Sequence, residues 1–205
     1  TATTLQTPFG GSRRTGRHQY LIKASELAAA GVTGPTRIQG LKVNCITSSA
    51  PYLSQGFTVS VRHSNANSLT GMGPGGEVGF SYLAVLSQGW NFISFQNPID
   101  YDGQSNLVVE FCFSRNLPSS DVHLAAHRTP FASHAFGDVA NHNSILSDGC
   151  AMPGLGTDSL RIDLEFLMTP RLQRGGHDRR GGTAAAADSR RLVIFAGPFA
   201  FCRQH

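Results

Sequence analysis

The sequence predicts an all-β protein, an antiparallel jelly-roll-like β-sandwich with one short helix and a C-terminal extension strand. Three observations predict this fold class. Apolar residues alternate with polar residues in several segments, which is the period of a strand with one buried face. The 23 glycines and 10 prolines supply turns between those segments. The chain of 205 residues has the length of about one domain and is long enough to bury a hydrophobic core.

The first half of the chain contains four predicted strands, in the segments "HQYLIK", "TRIQGLKVNCIT", "GFTVSVRH" and "EVGFSYLAVL". In the second segment Gly40 interrupts the alternation, and we expect a β-bulge there. The third segment places Phe57, Val59 and Val61 on one face of the strand and polar side chains on the other. These three residues are therefore predicted to face the core.

Three more strands are predicted in "WNFISF", "NLVVEFCF" and "DSLRIDLEFLM". Trp90 stands at a strand start, where we expect it to anchor the core. The second segment is apolar on both faces apart from Glu110, which is typical of a central strand covered on both sides. The third segment alternates regularly and indicates a half-buried strand, with Arg161, Asp163 and Glu165 on its polar face.

One helix is predicted in "ASELAAAG". Ser25 is a suitable N-cap, Glu26 lies in the first turn, and Gly31 can end the helix in the left-handed conformation. A tight turn is predicted at Asp102-Gly103, where glycine supplies a positive φ before the central strand.

The composition changes after Pro170. We therefore divide the chain into a β-sandwich domain (1–170), a basic linker rich in Gly, Arg and Ala (171–191) and a C-terminal strand (192–205). Residues 171–205 carry seven arginines and two aspartates, whereas the rest of the chain is nearly neutral. A basic tether of this kind can dock on an acidic patch of a neighbouring subunit. The arginines assigned to it are Arg174, Arg179, Arg180, Arg190 and Arg191.

The last segment, "LVIFAGPFAF", has the composition of a strand with a break at Gly197-Pro198. It is about half as long as a membrane span, so we reject a transmembrane anchor. The strand either completes its own sandwich or adds to the sheet of a neighbouring copy, and we favour the neighbouring copy. The residues assigned to this assembly strand are Leu192, Val193, Ile194, Phe195, Phe199 and Phe201.

The four cysteines are Cys45, Cys112, Cys150 and Cys202, and no two of them form a C-x-x-C pair. This spacing disfavours a zinc knuckle or a thioredoxin motif and favours two disulfides in a secreted protein. Three connectivities are open. If Cys112 pairs with Cys150, the remaining two cysteines can join the tail either to its own domain or to another chain.

Other kinds of site are not favoured. The segment "HLAAH", with His123, His127 and the nearby His134, lacks the spacing of a known zinc site. The turn with Asp100 and Asp102 lacks the pattern of an EF-hand loop. No G-x-S-x-G elbow is present, and three of the four glutamates fall in strand or helix patterns. We predict no catalytic residue, metal or cofactor, and no nucleic-acid partner, since no aromatic motif accompanies the basic residues.

Five stretches between residues 5 and 168 carry a resemblance to a known module. They read "TPFGGSRRTGRHQYLIKASELAAAGV", "RIQGLKVNC", "TVSVRHSNANSLTG", "GWNFISFQNPIDYDGQSNLVVEFCF" and "SDGCAMPG". In this order they resemble the N-terminal β-sandwich module of secreted and cell-surface proteins of Bacteroidota-type bacteria (type IX-secreted surface proteins). The resemblance implies a non-catalytic extracellular sandwich used in surface structures or adhesion. It does not extend to the tail after residue 170.

These observations lead us to expect a secreted or cell-surface protein that is not an enzyme. The chain begins at Thr1 without a signal peptide, as a mature secreted chain does. We expect a structural subunit of a surface assembly or filament, joined to other copies of itself by the C-terminal strand. The alternative is an adhesin module that binds surface glycans or another ligand. An exposed row of aromatic residues would favour that alternative, but only one tryptophan and four tyrosines are present.

Overall fold

The computed structural model describes residues 2–4, 9, 13–47, 52–114, 122–139, 148–171 and 192–195, and in residues 2–4, 52–55, 83–85 and 192–195 it describes the backbone. The elements in chain order are β1 (Ala2–Thr4), β2 (Thr15–Ile22), α1 (Ala24–Ala29), β3 (Thr36–Thr47), β4 (Tyr52–Ser64), β5 (Glu77–Leu86), β6 (Gly89–Tyr101), β7 (Asn106–Ser114), β8 (His123–Arg128), β9 (His134–Val139), a 3₁₀ turn (Gly149–Ala151), β10 (Gly156–Asp158), β11 (Leu160–Ile162), β12 (Leu164–Pro170) and β13 (Leu192–Phe195).

The strands form two antiparallel sheets that pack into a β-sandwich, so the predicted all-β fold class is confirmed. We name each sheet after a central strand. In the β3 sheet, β3 pairs with β6 and β12, and β13 adds to β12. The strand β8 pairs with the end of β3 and also with β1 and β11. The β7 sheet has the strand order β10-β9-β2-β7-β4-β5.

Alternation along the strands decides which side chains fill the space between the sheets. Phe57, Val59 and Val61 of β4 are all buried in the shared core, as predicted. The ring of Phe9 stacks on that of Phe57 at 5.0 Å between centroids and meets the edge of Phe111 of β7 at 6.2 Å. These rings join two neighbouring strands of the β7 sheet, β4 and β7, to Phe9.

Two further predictions about strands are confirmed. The strand β7 is buried on both faces from Leu107 to Phe113 and lies between β2 and β4. The ladder between β3 and β6 shifts its register between Ile38 and Gly40, which is the expected bulge. A Cβ atom at Gly40 would lie 2.9 Å from the ring of Phe92, so glycine lets this aromatic side chain lie across the bulge.

The predicted long strand at 158–168 is interrupted. The chain bends at Ser159, after the end of β10, and the strand is broken again at Asp163, whose N–H donates to the carbonyl of Ala125 in β8. The remaining parts are β11 and β12. The polar face is not in solvent, because Arg161 is 1% exposed and Glu165 is 5% exposed. Both charges have partners inside the protein, which a period-two pattern cannot reveal.

The helix α1 begins two residues earlier than predicted. Its N-cap is Lys23 and not Ser25. The Lys23 N–H donates to the carboxylate of Glu26 at 2.8 Å, so a side chain from within the first turn caps the helix. Gly31 follows the helix with φ 99° and Gly103 has φ 80°, which confirms the predicted helix end and turn.

Candidate functional site

The predicted assembly strand begins as β13, which extends the β3 sheet. Its four residues pair with β12 in antiparallel register, from Leu192 opposite Met168 to Phe195 opposite Glu165. In this single chain, β13 therefore docks on its own sandwich. Two of the aromatic residues assigned to the strand, Phe199 and Phe201, lie outside the described residues. So do the tether arginines, which are Arg174, Arg179, Arg180, Arg190 and Arg191.

The strand that receives β13 is held firmly by the rest of the fold. The inward side chains of β12, Leu164, Phe166 and Met168, are 0% exposed. On the opposite face the carboxylate of Glu165 pairs with the ammonium of Lys42 on β3. The position of β12 is thus set by β3 and the core, and β13 adds to an edge that these contacts already fix.

The structure describes three of the four cysteines. Cys112 of β7 and Cys150 of the 3₁₀ turn form a disulfide with 5.1 Å between their Cα atoms. The Asp148 carboxylate accepts a hydrogen bond from the Cys150 N–H at 2.8 Å and orders that turn. Cys45 is a buried free thiol, and burial raises its pKa to about 11. The fourth cysteine, Cys202, lies outside the described residues.

A polar network covers the outer face of the β7 sheet beside this disulfide. Glu110, predicted as the one polar residue of the central strand, is 3% exposed. Its carboxylate accepts hydrogen bonds from Arg17 at 2.7 Å and from Gln19 at 2.6 Å. The side chains of both partners also donate to the carbonyl of Gly73. A loop is thereby tied across the sheet, and the buried carboxylate has a cationic partner.

Within the described ranges, Glu110, Cys112 and Cys150 form the one grouping of three metal-ligating side chains. The two sulfur atoms are bonded to each other in the disulfide, and the carboxylate is bound by Arg17. These bonds occupy the donor atoms that a metal would require. The grouping is thus a covalent and ionic junction between β7, β2 and the 3₁₀ turn.

The three histidines considered in the sequence are divided between two networks. His127 of β8 contacts Asp163 at 2.7 Å through Nδ1, and its Nε2 lies 3.2 Å from the guanidinium of Arg161. Because the arginine can only donate, Nε2 accepts and Nδ1–H donates to the carboxylate. His123, which pairs with Thr47 in the ladder, takes no part in this network.

His134 belongs to a second chain of hydrogen bonds, which ends at His18. Its Nδ1 lies 3.2 Å from Asp158 and its Nε2 lies 3.1 Å from Nδ1 of His18. Since the carboxylate accepts from His134, the proton between the rings belongs to His18. The Nε2 of His18 is then a bare acceptor, and no partner contacts it among the described residues. Burial, together with His134, holds the pKa of His18 well below its usual value.

The structure corrects the prediction for the tryptophan. Trp90 is 41% exposed and Phe92 is 48% exposed, whereas Ile93 and Phe95 fill the core. Residues 90 and 92 lie two apart on β6 and therefore share its outer face. The side chain of Asn91 is engaged by its own turn and by Cys45. Its amide donates to the carbonyls of Ser87 and Gly89 and to Sγ of Cys45, and its oxygen accepts from the Ser87 N–H.

Among the described residues no helix has the length and apolarity needed to cross a membrane. Comparisons of the chain with models of protein families, with curated proteins and with solved structures give no match. The resemblance to the Bacteroidota-type surface module therefore remains a prediction from the sequence.

Proposed function

We propose that this protein is a non-enzymatic structural subunit of an extracellular surface assembly, and that its C-terminal strand joins neighbouring copies. The observation that carries the proposal is the pairing of β13 with the edge of β12. A strand that follows a long linker and adds to a sheet edge can make the same backbone contacts with a second copy.

The length of the linker before β13 allows this strand to reach a second copy. Residues 172–191 separate Arg171 from Leu192. Twenty residues reach about 70 Å when extended and roughly 25 Å as a flexible coil. A domain of this size has a radius of gyration of about 15 Å. The linker can therefore deliver β13 to its own β12 or to that of an adjacent copy, and donation that does not close into a ring produces a filament.

A disulfide between subunits is a weaker basis for assembly than the strand. Cys45 is 1% exposed, and its raised pKa keeps it as the thiol at neutral pH. Only the thiolate exchanges with disulfides, so Cys45 is poorly suited to rapid cross-linking. We therefore propose the strand as the joining element and expect assembly to persist in reductant.

The test compares particle size in the full chain and two double variants, by light scattering and electron microscopy. Val193→Pro/Ile194→Pro removes two backbone donors from β13 and should leave monomers. Ala185→Pro/Ala186→Pro makes the same chemical change in the linker and should leave multimers intact. Monomers in the unaltered chain, or multimers that survive the strand variant, would contradict the proposal.

A second function, that of a glycan-binding adhesin module, is favoured by the exposed row of Trp90 and Phe92. Sugar recognition also needs polar groups beside the rings. Two polar residues close to them in the chain and the ladder are committed elsewhere, since Asn91 bonds to its own turn and Lys42, which lies opposite Phe92, pairs with Glu165. Binding to a glycan array that is lost in Trp90→Ala would support this function, and binding that is unchanged would remove it.

A further inference from the structure

A cleft lies between the two sheets where β4, β5 and β6 come together. Its volume is about 240 Å³, and its lining residues are Val61, Arg62, His63, Glu77, Ile99 and Asp100. Val61 and Ile99 are 1% and 3% exposed and supply a buried apolar surface. Ligand pockets usually have about 300–1,000 Å³, so this cleft suits a single side chain better than a whole small molecule. We call it the Glu77 cleft.

Glu77 is the one carboxylate in the described ranges without a hydrogen bond or an ion pair. The other nine, including Asp100 of the same cleft, each bind a cation, a histidine or a backbone N–H. Glu77 is exposed and lies opposite Val61 in the ladder between β4 and β5. The arginine of the cleft, Arg62, is committed to a loop, since its Nε donates to the carbonyl of Pro74 at 3.0 Å. The cleft therefore combines a free negative charge with an apolar surface.

The basic linker leaves the sandwich next to this cleft. The N–H of Arg171 donates to the carbonyl of Pro35 at 3.3 Å, and its guanidinium lies 3.4 Å from the carboxylate of Asp100. Residues 171–191 carry six arginines and two aspartates. The second of these arginines is Arg174, and residues 172–174 span up to about 10 Å. The linker thus carries a second cation within reach of the cleft that Arg171 already contacts.

We propose that the Glu77 cleft is the docking site for the side chain of Arg174, from the linker of the same chain. The guanidinium pairs with the carboxylate of Glu77, and the methylene stem covers Val61 and Ile99. Because Arg171 anchors the linker at Asp100, Arg174 has a high effective concentration at the cleft. A cation from another molecule lacks this advantage.

The docked linker does not depend on the exchange of β13 proposed above. Asp100 belongs to β6, which lies on one side of β3, whereas β12 and β13 lie on the other side. The linker therefore starts away from the sheet edge that receives β13. Residues 175–191 still reach about 55–60 Å when extended, so β13 can pair with its own β12 or with that of another copy.

The experiment is limited digestion with trypsin, in which mass spectrometry follows the rate of cleavage after each arginine of the linker. A docked arginine must leave the cleft before the protease can bind it, so the rate reports the undocked population. Arg174 and Arg180 are both followed by glycine and form a matched pair of sites. We expect slower cleavage after Arg174 than after Arg180. Glu77→Gln should accelerate cleavage after Arg174 about three- to fivefold, as for an exposed ion pair, and leave the rate at Arg180 unchanged.

Asp148→Asn is the control for the loss of one negative charge. Asp148 is exposed and precedes Gly149, which packs against Phe113 near the end of β7, whereas His63 of the cleft pairs with Leu107 near the start of that strand. This variant should leave both cleavage rates unchanged. Equal rates at the two sites in the unaltered chain would overturn the proposal. So would a slow rate at Arg174 that persists in Glu77→Gln, or acceleration of both sites by that substitution.

The Val193→Pro/Ile194→Pro background separates this test from the test of strand exchange. Protection of Arg174 at every protein concentration in this background supports docking within one chain. Protection that disappears on dilution would assign the cleft to the linker of another copy and overturn the proposal. Multimers of the unaltered chain without protection at Arg174 would also overturn it, and would leave the proposed assembly by β13 in place.

Discussion

The guanidinium of Arg161 and the carboxylate of Glu26 form a two-point ion pair, with Nη2 2.6 Å from Oε1 and Nη1 2.8 Å from Oε2. The arginine lies on β11, and the glutamate lies in the first turn of α1. Nη1 also donates to the carbonyl of Leu21 at 2.7 Å. One buried side chain therefore fastens the helix and β2 to the opposite sheet.

Arg161→Met should lower the free energy of unfolding by about 3 kcal/mol, the lower end of the range for breaking a buried ion pair. The guanidinium is 1% exposed, whereas the Glu26 side chain is 32% exposed and can recover part of its hydration. Burial opposes ionisation of Glu26, but the hydrogen bonds and charge of Arg161 outweigh it and lower the pKa of Glu26. Urea unfolding at pH 7 measures the change.

The control for this substitution is Arg37→Met. Arg37 pairs with Asp100 at 3.0 Å, but the two side chains are 52% and 37% exposed. An exposed pair contributes at most about 1 kcal/mol, so this variant should remain close to the unaltered chain. Equal losses in the two variants would mean that burial of Arg161 does not determine its contribution.

His18 should make the protein less stable in mild acid. Its folded pKa is depressed by burial and by the adjacent His134, whereas an unfolded histidine titrates near about 6.5. Below that pH the unfolded chain binds a proton that the native site excludes. The stability present above about pH 6.5 is therefore lost as the pH falls toward the folded pKa, by up to about 1.4 kcal/mol per pH unit.

The measurement is the free energy of unfolding at pH 7.5 and pH 5. His18→Gln should reduce the loss between these two values, because an amide can still donate to His134 but does not titrate. Glu26 and Asp158 have lowered pKa values and add to acid sensitivity only below about pH 4.5, so they do not obscure this window. The same loss in both proteins would assign the acid sensitivity to other groups.

The disulfide should contribute substantially to stability. Cys112 and Cys150 are 38 residues apart, and closing a loop of that length stabilises a protein by about 4 kcal/mol in the chain-entropy model. Cys112→Ala/Cys150→Ala should lose roughly this amount in urea unfolding. Reductant should lower the midpoint of the unaltered chain and leave that of the double variant in place. Cys45→Ala, which removes a free thiol, should retain its response to reductant.

The fold class could be predicted from the sequence because alternation reports burial directly. The buried face of β4 and the doubly covered β7 follow from the order of their apolar residues. The same rule failed for Trp90, since both faces of "WNFISF" are apolar and the pattern cannot say which one meets the core. The prediction of Ser25 as the N-cap was also wrong. The carboxylate of Glu26 instead accepts from the Lys23 N–H and caps the helix two residues earlier.

The polar networks could not be predicted, because their members meet only after folding. Arg161 and Glu26 are 135 residues apart, and His18 and His134 are 116 apart. The sequence left three disulfide connectivities open. The folded structure selects the Cys112–Cys150 bond, because it places the 3₁₀ turn beside β7. The segment "LVIF" could be predicted to form a strand. Its pairing with β12 could not be predicted, because strand pairing depends on the whole sheet.

The turn before β7 should be more sensitive to a methyl group than other glycine positions. Gly103 has φ 80°, and a Cβ atom there would lie 2.7 Å from the Cα of Gly34. Gly103→Ala therefore combines a strained backbone with a clash against main-chain atoms, which cannot move aside as a flexible side chain can.

Gly89 has φ 97° and nothing within 4 Å of a Cβ atom, so Gly89→Ala carries the backbone strain alone. Gly71 has open space around a Cβ atom and a φ outside the left-handed region, so Gly71→Ala should be nearly neutral. Thermal unfolding should rank the three variants in that order, with a loss of about 1–2 kcal/mol for Gly89→Ala and a larger loss for Gly103→Ala. If Gly103→Ala and Gly89→Ala lose the same amount, the contact with Gly34 does not constrain the turn.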